Sequence, residues 1–439
     1  MGRTSWLRIA YIVLSYLLVP LLLVHLYWRS ISAPAYRQRI AERFGFGMAR
    51  LRQSSIWVHA VSVGEVQAAA PLVRALLKRY PDVPLVMTTM TPTGSERVRL
   101  LFGDTVVHSY VPYDLAAAVR RFFDWARPSL AIIMETELWP NLYHECGQRR
   151  VPLVLASARI SARSLGRYRR LISLFRDTLA NGIVIAAQTP VDAERFRSLG
   201  ANPAHTHVTG NIKFDFELPP EILHGGRALR ALQAQDRPVW VAASTHDGEE
   251  SVLLAAHMLI RQQHPDALLL LVPRHPERFS EVAALIDSCG LEHVTRSSAA
   301  VADQRTTVFL GDTMGELTTF YAAADVAFVG GSLTAIGGHN LLEPVSLRIP
   351  VITGPHNENA ADICALLVAC GAASVVSDAD GIAAEVCRLF ADPAERQRRG
   401  TAGQAAIADN CGALERLLKL IDPLIPAKPD QRGTAVRTT

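Results

Sequence analysis

Glu65 is the residue whose type and position point most directly to chemistry. It follows an apolar run at 55–61 and the small-residue turn Ser62-Val63-Gly64. The run is typical of a buried strand, and apolar side chains at helical spacing after Glu65 predict a helix. The carboxyl ends of parallel strands are where α/β folds bind ligands. The helix dipole should keep this carboxylate ionised at neutral pH, which suits a general base for a substrate hydroxyl, although Glu65 could also simply cap the helix.

Charged residues follow other predicted strands in the first half of the chain. Glu135 and Glu137 come directly after an apolar strand, where two carboxylates are unfavourable unless they meet cations or solvent. Arg159 and Arg163 follow the next strand and suit an anionic substrate, although surface solvation explains them equally well. Lys213 follows the last strand of this half. We interpret Glu135 and Lys213 as further site candidates.

The second half of the chain has the character of a phosphate-binding domain. Arg274 comes at a strand end, and its planar donor fork suits a phosphate. Three turns rich in glycine and small residues precede helices, so their backbone N–H groups could hold an anion. Within the last turn, His339 is a candidate acid or phosphate ligand, and Glu343 could accept hydrogen bonds from a ribose. The three turns lie at 311–317, 330–332 and 337–344.

Several other polar residues favour structural interpretations. Asp378 and Asp380 have a spacing that could bind a divalent cation, but a turn with a helix N-cap explains them better, so no metal site is predicted. Thr93 or Ser95 could cap the helix that follows the second strand. His59 is expected to be a hydrogen-bonded histidine within its strand. Six cysteines without a Cys-x-x-Cys spacing are interpreted as free thiols of a reducing compartment.

Strand-like and helix-like segments alternate along most of the chain. This pattern predicts βαβ units and therefore two doubly wound α/β domains that face a cleft. Strands are predicted at 55–61, 84–89, 106–112, 130–135, 152–157, 183–187 and 206–210, and then at 238–243, 267–272, 307–311, 326–330, 350–353 and 373–376. The predicted parts are an N-terminal anchor (1–30), a first domain (31–217), a linker (218–236), a second domain (237–401), a C-terminal helix (402–422) and a disordered tail (423–439).

The N-terminal segment has the composition of a membrane anchor. Residues 9–28 are apolar apart from three positions and are long enough to cross a bilayer as one helix. Residues 1–53 carry eight arginines and one glutamate, a net charge of +7, so the remainder sums to −3. Most of these arginines follow the apolar segment, which predicts a membrane-anchored body on the cytoplasmic side rather than a nucleic-acid-binding protein. The alternative is a cleaved signal peptide with its site near 32–35.

These motifs together resemble one family, the Kdo (3-deoxy-D-manno-octulosonic acid) transferases of lipid A biosynthesis. The resemblance covers nearly the whole chain, and its motifs keep the same order. It implies a GT-B glycosyltransferase fold in which the first domain binds a lipid acceptor and the second binds CMP-Kdo. The segments that carry it are 33–37, 62–65, 88–95, 134–141, 245–250, 272–279 and 337–343.

By this resemblance, Glu65 is the general base on the 6′-hydroxyl of the distal glucosamine of lipid IVA. Glu135 and Lys213 would stabilise the transition state of an inverting transfer that needs no metal and no cofactor. The partners would be CMP-Kdo, lipid IVA or a related precursor, and membrane lipid through residues 9–28. Alternatives are another GT-B nucleotide-sugar transferase or epimerase, or a non-catalytic scaffold. The implied CMP-binding residues are Pro273, Arg274, Met314, Gly315, Glu316, Asn340, Leu341, Leu342 and Glu343.

Overall fold

The computed structural model describes residues 3–47, 50–170, 172, 179, 182–216 and 218–425. The chain divides into two compact units. Unit 1 comprises Met1–Phe216 and Cys411–Thr439, and unit 2 comprises Glu217–Asn410. Each unit is an α/β structure built on its own parallel sheet, as the alternation of strand and helix patterns predicts.

The sheet of unit 1 has seven parallel strands in the order β3-β2-β1-β4-β5-β6-β7. This is the doubly wound order, in which strands are added outward on both sides of β1. All seven predicted strands are confirmed, with bounds that differ by a few residues. β1, β2 and β5 are buried along their whole length, which explains their continuous apolar sequences. The strands are β1 Ser55–His59, β2 Leu85–Thr89, β3 Val107–Tyr110, β4 Pro128–Met134, β5 Leu153–Ala158, β6 Ile183–Ala187 and β7 Thr206–Val208.

The sheet of unit 2 has the order β10-β11-β9-β8-β12-β13-β14, again with parallel pairing. The six predicted strands are confirmed. A seventh, β10, was missed because it is a three-residue edge strand without a fully buried residue. The strands are β8 Val239–Thr245, β9 Leu268–Pro273, β10 His293–Thr295, β11 Val308–Leu310, β12 Val326–Val329, β13 Val351–Thr353 and β14 Ala373–Val375.

Helices lie between most successive strands and pack apolar side chains against the sheets. The helices in the described part of unit 1 are Arg3–Leu17, Val19–Ser32, Val63–Arg79, Pro92–Phe102, Ala116–Ala126, Pro140–Gln148, Ala162–Arg170, Pro190–Ser198 and Ala413–Ile421. In unit 2 they are Pro220–Gln233, Glu249–Gln263, Phe279–Ser288, Leu317–Ala323, Leu342–Ser346, Ala361–Ala369, Ala379–Ala391 and Pro393–Asn410.

The predicted linker at 218–236 is instead mostly a helix, Pro220–Gln233, that packs on Leu317–Ala323 within unit 2. A Cβ atom at Gly226 would lie only 2.3 Å from the Cβ of Ala322, so glycine permits this contact. Gly226, within the predicted linker, therefore serves close packing of two helices.

The predicted C-terminal helix at 402–422 is divided at Cys411 and Gly412. Gly412 has a φ of +84°, and its N–H donates to the carboxylate of Asp215, which also accepts from Leu414. The helix Ala413–Ile421 thereby belongs to unit 1, where its buried leucines join the core. Of the predicted tail, residues 426–439 lie outside the described part of the chain.

The single anchor helix predicted over 9–28 is not confirmed. Two helices, Arg3–Leu17 and Val19–Ser32, meet at a 44° bend, and Pro20 lies in the first turn of the second helix, where its missing N–H is tolerated. Among the described residues, no helix alone has the length and apolar character to cross a membrane, whereas this bent pair meets that criterion jointly. The Tyr11 hydroxyl donates to Asp114, 2.8 Å away, which ties the first helix to the rest of unit 1.

Candidate active site

Glu65 lies in the first turn of the helix Val63–Arg79, directly after β1. Its Oε2 accepts the Val61 N–H at 2.8 Å, and its Oε1 lies 3.5 Å from the Ser62 hydroxyl. Burial raises the pKa of Glu65 to about 7, against the opposing hydrogen bond from Val61. The prediction that Glu65 stays ionised at neutral pH is therefore corrected, because loss of hydration favours the neutral carboxyl and both protonation states are populated at neutral pH.

Glu135 follows β4 and makes two ion pairs. Lys213 Nζ lies 3.1 Å from its Oε1, and Arg159 Nε lies 3.1 Å from its Oε2. Burial alone would raise the pKa of this carboxyl, but Lys213 and Arg159 hold it below its usual value. Glu135 has a φ of 54°, a left-handed conformation that is disfavoured for a residue with a side chain and that is often found at functional sites.

The structure brings Glu65, Glu135 and Lys213 close enough for both charges to influence the pKa of Glu65. Arg159, for which the sequence left surface solvation open, instead pairs with Glu135. Glu137 is the third carboxylate of the cluster, and burial raises its pKa although the indole N–H of Trp139 donates to it. An ionised carboxylate can stabilise developing positive charge, and a neighbouring carboxyl that titrates near pH 7 can transfer a proton. The two groups can therefore have separate roles.

The loop that carries Glu135 and Glu137 is fixed at its far end by a buried carboxylate. Asp114 accepts the N–H groups of Asn141 and Leu142 at 3.0 and 2.8 Å, and so caps the helix Pro140–Gln148. This is also the carboxylate that accepts the Tyr11 hydroxyl. The N-terminal helix is thus tied to the element that follows the catalytic candidates.

In unit 2, Arg274 directly follows β9, of which Pro273 is the last residue. Its N–H donates to the carbonyl oxygen of Thr245 at 3.0 Å, which joins the ends of β9 and β8. The rings of His246 and His275 lie 5.1 Å apart, and His246 contacts His339. The structure therefore gathers one arginine and three histidines at the carboxyl edge of this sheet, a set of donors suited to a phosphate.

The predicted anion-binding turn at 330–332 is already occupied by a side chain of the protein. The fully buried carboxylate of Glu249 accepts the N–H groups of Gly331, Ser332 and Leu333 at 2.7–2.9 Å. It also accepts the His246 N–H at 2.9 Å. These backbone donors hold an internal carboxylate and are not available to a ligand, so this part of the prediction is wrong.

The turn at 313–316 is held by an ion pair that the sequence did not reveal. Arg296 donates to both carboxylate oxygens of Glu316, at 2.8–3.2 Å, and this contact lowers the pKa of Glu316. Gly315 has a φ of +88°, and Met314 is 60% exposed. The turn therefore presents an ordered backbone and an exposed side chain. Arg296 lies in an irregular polar segment, where no sequence pattern marks it.

The segment from Asn340 to Glu343 is only partly available to a ligand. Asn340 donates to Glu343 at 3.0 Å and accepts the Leu342 N–H at 3.1 Å. The side chains of Leu341 and Leu342 are buried in the core of unit 2. Only the backbone of these two leucines could reach a nucleotide, whereas the polar groups of Asn340 and Glu343 lie nearer the surface.

Polar residues outside these clusters have structural roles. Asp378 caps the helix Ala379–Ala391 by accepting the Gly381 N–H at 2.8 Å, which confirms the N-cap prediction. The cap of the helix after β2 is Thr91, so the prediction of Thr93 or Ser95 is wrong. His59 is buried, and its Nδ1 lies within hydrogen-bonding distance of Thr88. Within the described ranges, no group of three His, Cys, Asp or Glu side chains is placed to hold a metal ion.

Two parallel α/β units are the architecture that solved two-domain glycosyltransferases and nucleotide-sugar epimerases share. A model of glycosyl transferases group 1 matches residues 236–406. A solved glycosyltransferase from Rickettsia africae shares the fold, with a TM-score of 0.55 and 12% identity over 85% of this chain and 99% of its own.

Relatives of higher sequence identity narrow the class to one family. A family model described as 3-deoxy-D-manno-octulosonic-acid transferase matches residues 38–216. A 3-deoxy-D-manno-octulosonic acid transferase of Haemophilus influenzae is 45% identical over 92% of this chain and 96% of its own length. A second one, of Bordetella pertussis, is 39% identical over 92% of this chain and 96% of its own length. The chain belongs to the Kdo transferase family.

Proposed function

We propose that the protein transfers Kdo from CMP-Kdo to the 6′-hydroxyl of the distal glucosamine of lipid IVA, with inversion and release of CMP, as a step of lipopolysaccharide inner-core synthesis. Family membership supports the sugar. The observation that carries the chemistry is the juxtaposition of Glu65, whose pKa is about 7, with an ionised Glu135 held by Lys213 and Arg159.

The proposed step is a single displacement. Glu65, in its ionised form, takes the proton of the acceptor hydroxyl while the oxygen attacks the anomeric carbon of Kdo. Positive charge develops on that carbon, and the Glu135 carboxylate stabilises it. Lys213 and Arg159 keep Glu135 ionised and can also attract the carboxylate that Kdo itself carries.

The donor nucleotide is assigned to unit 2. Arg274 offers a guanidinium to the phosphate, Glu343 and Asn340 offer polar groups to the ribose, and the backbone of 314–316 lines the same edge. We propose that no metal ion takes part, because arginine, lysine and histidine side chains supply the positive charge that a phosphate and a carboxylate require.

The N-terminal helix pair is proposed to contact the cytoplasmic face of the bacterial inner membrane. Many of its large apolar side chains are exposed, and the net charge of +7 over residues 1–53 suits anionic lipids. Flotation with anionic vesicles tests this proposal, and binding that persists without residues 1–30 would contradict it. The exposed side chains include Trp6, Val13, Leu14, Leu17, Leu21, Val24, Tyr27 and Trp28.

The acceptor position and the stereochemistry are tested with synthetic acceptors. Lipid IVA that lacks only the 6′-hydroxyl should give no product, and the anomeric configuration of Kdo in the normal product should be opposite to that in CMP-Kdo. Transfer to the 6′-deoxy acceptor, or retention of configuration, would overturn the proposed reaction. Competition by UDP rather than CMP would indicate another nucleotide-sugar enzyme of this fold.

A further inference from the structure

Two histidines of unit 2 face each other through nitrogen atoms that can titrate. Nε2 of His246 lies 2.8 Å from Nε2 of His339, and the two rings are inclined by only 8°. For this contact to be a hydrogen bond, one nitrogen must carry a hydrogen and the other must offer a lone pair. The pair therefore shares one hydrogen when both rings are neutral.

The structure around the pair is built to hold it. His246 directly follows β8, and its N–H donates to the same buried Glu249 oxygen that accepts the Gly331 N–H. A Cβ atom at Gly331 would lie 2.9 Å from the Cδ2 of His339 and 3.5 Å from that of His246. With a φ of +68°, Gly331 suits both the turn and the close approach of the rings. Glu249 thus fixes the two loops that carry the pair.

Positively charged groups surround the pair on the side of β9. Burial, together with smaller contributions from His246, Arg274 and His275, lowers the pKa of His339 to about 4. Burial also lowers the pKa of His246, together with His275, Arg274 and Arg278, while Glu249 acts in the opposite direction. Without a ligand, both rings are therefore neutral at neutral pH, and an anion beside Arg274 would reverse this balance.

We propose that the His246–His339 pair takes up one proton when the donor phosphate binds beside Arg274 and gives that proton to the phosphate oxygen that leaves. This inference rests on the proposed function. When the bond between the anomeric carbon of Kdo and the phosphate oxygen breaks, the electron pair stays on that oxygen. The oxygen accepts the imidazolium proton, the acceptor hydroxyl gives its own proton to Glu65, and the histidine pair returns to its neutral state with one shared hydrogen.

Calorimetry of CMP binding to the full chain tests the proposal without any transfer. The binding enthalpy at pH 7, measured in two buffers of different ionisation enthalpy, gives the number of protons taken up. The wild type should take up more protons than either His246→Gln or His339→Gln, by a difference that approaches about one per CMP. His224→Gln, which changes an exposed histidine of the same unit, is the matched control and should behave as the wild type.

The phosphate of CMP has a second pKa of about 6, so CMP itself can take up or release a proton on binding. The wild type is therefore also titrated with the methyl ester of CMP, a phosphodiester like the donor that has no such ionisation. Any proton taken up when this ester binds must be bound by the protein, so this measurement needs no variant. In turnover, each glutamine variant should lower kcat by about 100-fold, because the acid acts in the transition state.

Equal proton uptake by the wild type and both glutamine variants would overturn the role of the pair, as would binding of the methyl ester without uptake. In either case Kdo transfer could still occur, so the proposed function would stand. Absence of CMP binding to the wild type would overturn both the role of the pair and the assignment of the donor nucleotide.

Discussion

The substitution Glu65→Gln should remove activity and at the same time stabilise the folded protein at alkaline pH. The pKa of Glu65 is raised from 4.5 to about 7 by burial. Between these two values the unfolded chain has lost a proton that the folded protein keeps, so stability falls as pH rises through this window. At about 1.4 kcal/mol for each pKa unit, the loss is about 3 kcal/mol once pH exceeds 7.

Glutamine has no ionisation, and its amide oxygen can still accept the Val61 N–H. The variant should therefore match the wild type near pH 5 and be more stable at pH 8 by about 3 kcal/mol, which for a unit of this size corresponds to roughly 5–10 °C in Tm. Its kcat should fall by about 10³-fold, since the general base is lost.

Thermal unfolding at pH 5 and pH 8, followed by circular dichroism, measures this difference. Glu96→Gln, which changes an exposed glutamate on the helix Pro92–Phe102, is the control and should leave both melting temperatures unchanged. If Glu65→Gln and the wild type lose the same stability between the two pH values, Glu65 is not the buried carboxyl described above. If the variant keeps full activity, Glu65 is not the base.

Three further predictions follow from the contacts. At saturating CMP-Kdo, kcat should rise about tenfold per pH unit below pH 7, because only ionised Glu65 accepts the proton. A flat profile from pH 5.5 to 7 would argue against this base. Gly226→Ala should lower the unfolding free energy of unit 2 by about 2 kcal/mol, because the added methyl group would overlap with Ala322. The control Gly225→Ala should leave this free energy unchanged or raise it, and equal effects of the two substitutions would show that the helix contact is not tight. Glu249→Gln should destabilise unit 2 by about 3 kcal/mol in thermal unfolding, because the amide NH₂ group would face the backbone N–H donors that the carboxylate now accepts. An unchanged Tm would contradict these carboxylate contacts.

The sequence was sufficient to predict the regular part of the fold, because long apolar strands alternate with amphipathic helices. The sequence-based prediction failed where the same kind of sequence occurs in two different structural settings. Gly225 and Gly226 resemble a linker in sequence, yet Gly226 allows two helices to touch. The apolar N-terminal segment has the length of one helix, but Leu18 separates two helices and the first is tied to Asp114. β10 was missed because a three-residue edge strand has too little apolar sequence to be recognised.

The predicted strand ends showed where the site residues lie, but they did not show which residues bind each other. Glu135 and Lys213 were both predicted, and the structure adds that they form an ion pair. The ionisation of Glu65 could not be judged, since burial of the carboxyl depends on the whole unit. Glu249 is a second example. The glycine turns suggested a ligand site, but the sequence could not reveal that the N–H groups of one turn already bind this carboxylate of the protein.

The most direct test of the proposed activity is a mass spectrum of the products formed by the purified protein from CMP-Kdo and tetraacyl lipid IVA, recorded with and without EDTA. We expect lipid IVA to gain whole Kdo residues, with one CMP released for each, and the yield to be unaffected by EDTA. The number of residues gained would count the transfers. No gain in mass, while CMP still binds unit 2, would contradict the proposed acceptor, and a gain abolished by EDTA would contradict transfer without a metal.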